Sequence, residues 1–563
     1  MSTPCTTSYF QSRDVRLLLA FLCLSTLLIG LYHEALACLA SLFLLWFLWK
    51  RVRKDGGLQL PGVLPLVTAV VISLLYGISA LWAVDRGMAL VGFAKFLCLP
   101  LFALVLFQIS PEQRSMLLHA VPLLGAGSTL FSGSLALLPA ASGYVLVNGR
   151  LAGTFQYPNT FALFLLIGVI LLVTVPCRPR HWLPCLTVLL AGIAFAGSRT
   201  VFVLLALTLV LLLVLVKDRQ VRYVLLVSSV LLLVMTLGYA LLTGNVGTIA
   251  RYLTISVDSS SLQGRLLYWQ DALPVILKHP FGLGYLGYST TLGSFQTGVY
   301  SLVHVHNEVL QLLLDIGWLP CALFLYTLFR GLCSNGKSLG CKLSITVLFL
   351  HSLMDFDLQY PIIWFVLLLC LLDGMSSGKV RTVRKGVAPL CALLTCICLY
   401  FCAVSGLYYT GHDDLCAKLC PAHTQANLHL LQRAQTAEEM ECYADRILTH
   451  NPTSALALSA KARAAYARGN FEQMILYKEQ VLAAARYSKE EYLDYFQMLS
   501  VGYQLYLQNG DIASAEVCRQ KLLTIPDRMA EVLKETSPRA WRITDKPDLS
   551  LPIEYTAFLD TLR

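Results

Sequence analysis

Two histidines stand at the entrance of an apolar stretch in the middle of the chain, in the sequence Leu302-Val-His304-Val-His306-Asn307. Membrane segments rarely carry such polar groups unless the groups face a cavity or a bound ligand. An imidazole titrates near neutral pH, so His306 is a candidate general base for removing a proton from a hydroxyl group. The alternative interpretation is that His304 and His306 are loop residues that reach back to the membrane interface.

Four arginines are predicted to lie on the same side of the membrane as these histidines: Arg150, Arg199, Arg251 and Arg265. Arg199 belongs to the tight joint Gly197-Ser-Arg199-Thr200 between two apolar segments. A guanidinium group binds phosphate oxygens through two parallel hydrogen bonds. The four arginines therefore indicate a basic cavity for an anionic ligand such as a diphosphate, although arginines that only reach the interface would give the same pattern.

A second polar pair, His351 and Asp355, has a spacing of four residues, which places both side chains on one face of a predicted helix. Such a pair either orients a ligand or forms a self-contained buried contact. No CxxC pair or zinc-type spacing occurs in the sequence, so no metal site is predicted.

Composition places these residues in a membrane protein. Of the 563 residues, 56% are hydrophobic and 13% are charged. Repeated apolar runs of about 17–25 residues are typical of membrane-spanning helices. The sequence predicts thirteen spans with these bounds: Val15–Tyr32, Ala35–Trp49, Val63–Trp82, Met88–Gln108, Met116–Leu138, Thr160–Val175, Trp182–Ala196, Val201–Val216, Tyr223–Leu242, Asn307–Phe329, Leu343–Phe356, Pro361–Leu372 and Val387–Tyr408.

The distribution of basic residues predicts how these spans are oriented. An alternating path that starts with the amino terminus inside puts nearly every basic cluster on the inner side, including Lys50–Lys54 and Lys379–Lys385. The basic surplus lies in residues 1–408, whereas residues 409–563 carry slightly more acidic than basic side chains. The surplus thus sets membrane topology and indicates no nucleic-acid partner. An odd number of spans places the tail outside.

Two predicted outer loops are long enough to fold. Residues 139–158 are rich in turn formers and are expected to dip back into the outer leaflet. Residues 243–303 contain Arg265 and Trp269 on a predicted amphipathic segment. They also contain Gly282-Leu-Gly284-Tyr-Leu-Gly287, which matches GxGxxG. Because that motif has no βαβ context here, its glycines are interpreted as loop turns.

The tail, residues 409–563, has the charged and alanine-rich character of a soluble helical domain. Two helix–turn–helix units are predicted around Gly469 and Gly510, with Pro526 closing the second unit. The tail looks like a small tetratricopeptide-type array, which would offer a concave surface to an acceptor or a protein partner. An irregular helical cap is the alternative.

The order of these motifs resembles the O-antigen ligase and polymerase superfamily of polytopic membrane glycosyltransferases. The resemblance covers residues 60–375 approximately. The motifs are Ser79-Ala-Leu-Trp82-Ala-Val-Asp85, Arg150 with Pro158-Asn159, Gly197-Ser-Arg199, Arg265 with Trp269, His279-Pro-Phe-Gly-Leu-Gly284, His306-Asn307 with Gly317, and His351 with Asp355.

The resemblance implies an all-α, GT-C-like bundle of about thirteen spans (residues 1–408) followed by a soluble helical domain. It implies transfer of a glycan from an undecaprenyl-diphosphate carrier to an acceptor, without metal or cofactor, at the outer face of a bacterial cytoplasmic membrane. Arg199 and Arg265 would hold the diphosphate, and His306 would activate the acceptor hydroxyl or help to position it. The further candidates for substrate binding are Arg150, Asn159, Arg251, Trp269, His304, Asn307, His351 and Asp355.

Three other functions remain open from the sequence. A polymerase that joins repeat units on the carrier would use the same residues. A transporter for lipid-linked sugars usually shows internal repeats and interrupted helices, and no such repeat is visible. A membrane scaffold that works through its tail would not need Arg199, Arg265 or His306.

Overall fold

The computed structural model describes residues 12–175, 182–216, 218–220, 222–227, 230, 260–375, 380–544 and 546–563. Helices dominate the described residues, and the strands are short. The helices of the apolar part are α1 (Arg13–Leu27), α2 (Glu34–Asp55), α3 (Leu64–Ile78), α4 (Arg86–Phe96), α5 (Cys98–Phe107), α6 (Pro111–Ala136), α7 (Pro139–Ser142), α8 (Pro158–Thr174), α9 (Trp182–Ala196), α10 (Arg199–Leu215), α11 (Ser260–Lys278), α12 (Gly287–Phe295), α13 (Glu308–Ile316), α14 (Trp318–Leu332), α15 (Leu339–Ser352), α16 (Pro361–Leu372) and α17 (Val387–Tyr409).

Five helical stretches among the described residues are long and apolar enough to cross a membrane. These are α2, Leu64–Leu81, Arg86–Phe107, α6 and α17. Shorter apolar helices of 10–17 residues accompany them, namely α8, α9, α10, α14, α15 and α16. The predicted fold class, an all-α helical membrane protein, is confirmed.

Helices α8 and α16 form the centre of the bundle. Every residue of α16 is buried, as is nearly every residue of α8. A helix that is apolar all round is stable only when other helices cover it on all sides. Helix α8 is covered by α6, α9 and α15, and α16 packs against α5, α6 and α15.

Glycine interrupts one predicted span. The sequence predicts a continuous helix over Asn307–Phe329, but the helix breaks at Gly317 into α13 and α14. Gly317 has φ +87° and ψ −169°, a conformation that only glycine adopts without strain. The apolar run continues through the break, so hydrophobicity alone does not reveal it.

Another predicted boundary differs from the structure. The span predicted over Leu343–Phe356 ends as a helix at Ser352, and a turn follows. The span predicted over Tyr223–Leu242 lies mostly outside the described residues, so the count of thirteen stays a prediction.

In the described part of the chain, two small antiparallel sheets hold loops together. Strands β1 (Leu58–Pro61) and β4 (Val380–Val383) pair and join the connection after α2 to the connection before α17. Strands β2 (Leu146–Val147) and β3 (Arg150–Leu151) form a hairpin. Its turn residues, Asn148 and Gly149, both have positive φ, as a type I′ turn requires. Part of the loop predicted to dip into the membrane is therefore a hairpin that carries Arg150.

The tail is helical, as the sequence predicts. Its helices are α18 (Asp413–Leu419), α19 (Thr424–Arg433), α20 (Ala437–His450), α21 (Ala455–Ala467), α22 (Phe471–Ala484), α23 (Lys489–Gln508), α24 (Ile512–Glu535) and α25 (Ile553–Leu562). Gly469 and Gly510 adopt the left-handed conformation at the turns that join α21 to α22 and α23 to α24. Both turns lie where the sequence places them.

The prediction that Pro526 ends its helix is wrong. Helix α24 continues through Pro526 to Glu535. Leu522, Ile525 and Met529 on its inner face are buried in the core of the tail. Burial of this face outweighs the backbone hydrogen bond that a proline removes.

The tail packs against the loops of the membrane part. The Ser537 N–H donates to the Thr297 carbonyl over 2.8 Å, and Arg539 donates to the side-chain oxygen of Gln263 over 2.9 Å. The Asn451 amide also lies 3.4 Å from the Asp85 carboxylate at the start of α4. The tail thus lies on the same side of the bundle as the segment that carries Arg265 and His306.

Candidate active site

The Asp355 carboxylate is the centre of the candidate site. It lies in the turn after α15 and is 1% exposed. One oxygen accepts from the Tyr157 hydroxyl at 2.8 Å and lies 3.1 Å from Nδ1 of His306. The other accepts from the Asn159 amide at 2.7 Å and from the Arg265 guanidinium at 3.2 Å. One carboxylate therefore joins residues from three other segments of the chain.

The contact with Asp355 gives His306 a defined orientation. An ionised carboxylate only accepts hydrogen bonds, so Nδ1 of His306 is the protonated nitrogen and donates. Nε2 then carries a lone pair and is suited to accept a proton. His306 also has φ +54°, which is uncommon for a residue other than glycine. Local strain of this kind is frequent where a side chain is held for function.

Charge keeps Asp355 ionised. Burial alone would raise the pKa of the Asp355 carboxyl, but the hydrogen bond from His306 and the charge of Arg265 outweigh burial. The pKa therefore lies below its ordinary value. Asp355 remains a carboxylate at neutral pH, as the orientation of His306 requires.

Three of the four arginines singled out in the sequence line one cavity. Its volume is about 550 Å³, and Arg150, Arg199 and Arg265 lie around it together with Asn159. Val203, Leu204 and Leu207 of α10 form an apolar wall of the same cavity. Arg251 lies outside the described residues. The cavity thus combines a cationic end with an apolar side.

Local backbone features place these arginines. Ser198 caps α10 by accepting from the Val201 N–H, so Arg199 becomes the first residue of that helix. Gly197 has φ +60°, which lets the chain reverse between α9 and α10. Arg150 donates to the Ala196 carbonyl at 2.8 Å and to the Asn159 side chain at 2.7 Å. The hairpin, the joint between α9 and α10, and the start of α8 are therefore tied together.

Two other candidate residues, Trp269 and Asn307, do not line the cavity. They hold the loop that carries His304 and His306, called the histidine loop below. The Trp269 indole donates to the Val305 carbonyl at 3.2 Å. The Asn307 side chain caps α13 by accepting from the Leu310 N–H, and its amide donates to the Leu353 carbonyl. Both residues are candidates for substrate binding, and in the structure they hold the loop that carries His306.

His304 is buried behind His306. Its Nε2 lies 3.2 Å from the Tyr32 hydroxyl, and its ring packs beside Phe356. Burial, followed by the charge of Lys95, lowers the pKa of His304 well below its ordinary value. His304 is therefore neutral at neutral pH and does not line the cavity.

The predicted pairing of His351 with Asp355 is wrong. Helix α15 ends at Ser352, so the two residues do not share a helix face. Nδ1 of His351 instead lies 2.6 Å from the Asp357 carboxylate, which also accepts from the Thr160 hydroxyl. Both His351 and Asp357 are fully buried. His351 is part of a self-contained buried pair, and Asp355 is free to join His306 and Arg265.

Several polar residues around this centre are not among the residues that the sequence predicts for the site. Tyr157 contacts Asp355 directly, although nothing in its local sequence distinguishes it. Glu34 and Lys95 are buried charges in apolar helices, and the Tyr285 hydroxyl contacts both. Charged residues within apolar spans are a known signal of a functional region. That signal would have identified Glu34 and Lys95.

Within the residues that the structure describes, no three or more His, Cys, Asp or Glu side chains form a group able to hold a metal ion.

Residues 184–325 match the model of a family described as O-antigen ligase. This segment is similar to the O-antigen ligase family. The superfamily resemblance seen in the sequence is thereby confirmed, while the tetratricopeptide-like character of the tail stays a prediction. No curated protein matches the chain.

The O-antigen ligase match includes the part of the site that carries Arg199, Arg265 and His306. It supports a function of the O-antigen ligase or polymerase type in a multi-pass membrane protein. Members of this family are glycosyltransferase-like enzymes, which implies a lipid-linked glycan donor and a glycan acceptor. Arg150, Asn159, Asp355 and the tail lie outside the matched segment.

Proposed function

We propose that this protein transfers a glycan from a polyprenyl diphosphate carrier, of the undecaprenyl type, to a hydroxyl group of an acceptor. One observation carries the proposal. Arg265, which lines the cavity beside Arg150 and Arg199, shares the Asp355 carboxylate with His306. A group that can take a proton is thus held beside a cationic cavity.

The cavity suits both parts of such a donor. Three arginines line the cavity, and guanidinium groups bind diphosphate oxygens well. Val203 and Leu207 on the apolar wall are 42% and 56% exposed. In a membrane helix such exposed apolar side chains face lipid. A prenyl chain therefore reaches the arginines sideways from the bilayer along α10.

The residues then have separate roles in transfer. Nε2 of His306 takes the proton of the acceptor hydroxyl, whose oxygen attacks the anomeric carbon of the donor sugar. The bond between that carbon and the diphosphate oxygen breaks, and polyprenyl diphosphate leaves with the electron pair. Negative charge grows on the leaving oxygen, so the arginines bind the transition state more tightly than the donor. His306 afterwards releases its proton to solvent.

A polymerase that joins repeat units is the second candidate, because the domain match covers both types. In a ligase the acceptor is a different molecule, whereas in a polymerase it is a second carrier-linked glycan. The two are separated by offering each acceptor alone to the purified protein and following product length.

Membrane placement is part of the same proposal. Residues 1–408 form the membrane part and residues 409–563 a soluble helical domain. The basic clusters near β1 and β4 lie at the end of the bundle opposite Asp355. The positive-inside rule then puts the amino terminus inside, and the site and tail at the outer face of a bacterial cytoplasmic membrane.

The test is transfer by the purified full chain with a lipid-diphosphate-linked glycan, in the presence of EDTA because no metal is required. His306→Ala should lower kcat by about 100-fold or more, within the usual contribution of a positioned acid–base group. Arg199→Gln and Arg265→Gln should also lose most activity, because each removes a cation from the cavity.

Matched controls exist on the same side of the bundle. His279 and Arg86 are exposed and do not line the cavity. His279→Ala and Arg86→Gln should therefore retain turnover close to wild type. Undiminished turnover in the His306 and Arg265 variants would remove the site from the proposal.

A further inference from the structure

A second cavity lies at the other end of the membrane part, between the start of α3 and the end of α14. Its volume is about 640 Å³. Helix α3 runs from this end towards Asp85, and α14 runs away from Gly317 towards it, so the cavity is remote from Asp355. The proposed transfer reaction uses none of its residues.

The walls of this cavity are apolar and open towards the bilayer. Leu371 is buried at its inner side, while Tyr326 and Phe329 are 50% and 60% exposed at its rim. Exposed aromatic side chains on a membrane helix contact lipid, and tyrosine is frequent at the level of the headgroups. The opening therefore faces the lipid at the membrane interface.

A buried ammonium group lies at the bottom of the cavity. Lys337 is 6% exposed, and its Nζ donates to the carbonyl oxygens of Cys370, Leu371 and Asp373 at 2.8–3.1 Å. The Asp373 carboxylate accepts from the Ser338 N–H instead. Among the described residues, no carboxylate lies within ion-pair distance of Lys337. Carbonyl dipoles at a helix end offset only part of a full charge.

A second cation stands at the rim. Arg330 lies in the last turn of α14, is exposed, and makes no ion pair with the residues that the structure describes. The Ser334 side chain lines the cavity one turn further on. Two positive charges thus flank an apolar cleft at interface depth, and none of the described residues that line it is acidic.

We propose that this cleft binds the headgroup of an anionic phospholipid. The phosphate would lie between Arg330 and Lys337, with its acyl chains against Tyr326 and Phe329. Basic pockets between membrane helices on the positively charged side of a protein are typical sites for acidic lipid headgroups. A free anion would gain nothing from the apolar walls, whereas a lipid buries its chains there. The site is independent of the transfer reaction.

Lipid binding to the purified, delipidated full chain tests this. Native mass spectrometry should show retention of phosphatidylglycerol or cardiolipin over phosphatidylethanolamine. Arg330→Gln should weaken binding of the anionic lipids about fivefold, because one cation near a membrane surface contributes about 1 kcal/mol. Arg330→Lys should keep most of the binding, since the positive charge remains.

Arg384→Gln is the matched control. Arg384 is exposed near β4, at the same end of the bundle, and does not line the cavity. Its variant should bind like wild type. Equal retention of the anionic and zwitterionic lipids, or an unchanged Arg330→Gln variant, would overturn the proposal. Displacement of the lipid by inorganic phosphate at equal concentration would also overturn it, because the cleft would then recognise phosphate alone.

Discussion

Asp355 joins the proton acceptor of the proposed reaction to one of the groups that bind the leaving diphosphate. Its two oxygens serve different partners, with His306 and Tyr157 on one oxygen and Arg265 and Asn159 on the other. The orientation of the base and the position of the cation are therefore linked. A change at this carboxylate should affect both at once.

Asp355→Asn should lower kcat by about 100-fold while leaving the shape of the site nearly intact. The amide removes the negative charge and no longer selects the tautomer with a free Nε2, an effect known to be large in histidine–carboxylate pairs. Steady-state transfer kinetics give kcat and KM separately.

Tyr157→Phe is a milder change at the same carboxylate. It removes one hydrogen bond to the Asp355 oxygen that His306 also contacts, and it leaves the His306 contact in place. Its loss of kcat should be about tenfold or less. A larger loss for Tyr157→Phe than for Asp355→Asn would contradict the assigned role of Asp355.

His304 should make the stability of the protein sensitive to mild acid. In the unfolded chain this histidine binds a proton below about pH 6.5, but the folded protein keeps it neutral because its pKa is lowered. The unfolded state then binds more protons, so stability falls as pH decreases below about 6.5 towards the folded pKa.

Melting temperatures measured between pH 5 and pH 8 test whether stability falls with decreasing pH. Wild type should lose melting temperature below pH 6.5 more steeply than His304→Asn, which has no proton to bind. His412→Asn changes an exposed histidine and should follow wild type. Parallel curves for wild type and His304→Asn would exclude His304 as a source of the acid sensitivity.

The break between α13 and α14 determines where the histidine loop can lie. A Cβ atom at Gly317 would clash with the Pro280 carbonyl and lie 2.7 Å from Cα of Phe281. The backbone of Pro280 and Phe281 therefore passes directly against the break. This close approach ties the end of α11 to the helix that begins just after His306.

Gly317→Ala should destabilise the protein by about 1–3 kcal/mol, because it adds both a clash and a strained backbone conformation. Gly133→Ala is the control, since Gly133 lies within α6 and has open space around it. That substitution should be neutral or slightly stabilising. Thermal unfolding in detergent compares the two, and equal melting temperatures would contradict the strain at Gly317.

The local sequence pattern is sufficient to predict most of the helices, but it is insufficient to predict which side chains from distant segments come into contact. Apolar runs located the helices because hydrophobicity is a property of each segment. The pairing of Arg265 with Asp355 joins distant segments, and no local spacing encodes it. The expectation for His351 failed for the same reason, because a helix end at Ser352 replaced a spacing of four residues by a turn. Polar residues in apolar surroundings still pointed to the arginines and His306.

At the scale of the whole molecule, exposed cysteines at the two ends of the bundle can show which side of the membrane carries the site and the tail. Cys442 is exposed in the tail, and Cys333 is exposed at the opposite end of the bundle. Cys518 is 1% exposed and cannot report on accessibility. Two single-cysteine variants, each with the other cysteines changed to serine, therefore sample the two sides.

A membrane-impermeant maleimide added to intact cells should label Cys442 and spare Cys333, because the proposal puts the tail outside. Both cysteines should react once the membrane is permeabilised. Labelling of Cys333 alone in intact cells would reverse the orientation and move the site to the inner face.

Strand β1 and helix α2 both pack against partners that lie far along the chain. Leu58 in β1 pairs with Val383 in β4, and α2 packs along α17. During synthesis the first helices leave the ribosome long before these partners exist. The face of α2 that α17 later covers must stay in contact with lipid or the insertion machinery for most of translation. Closure of the bundle is therefore a late event, set by the last membrane helix to emerge, and the tail can dock only after it.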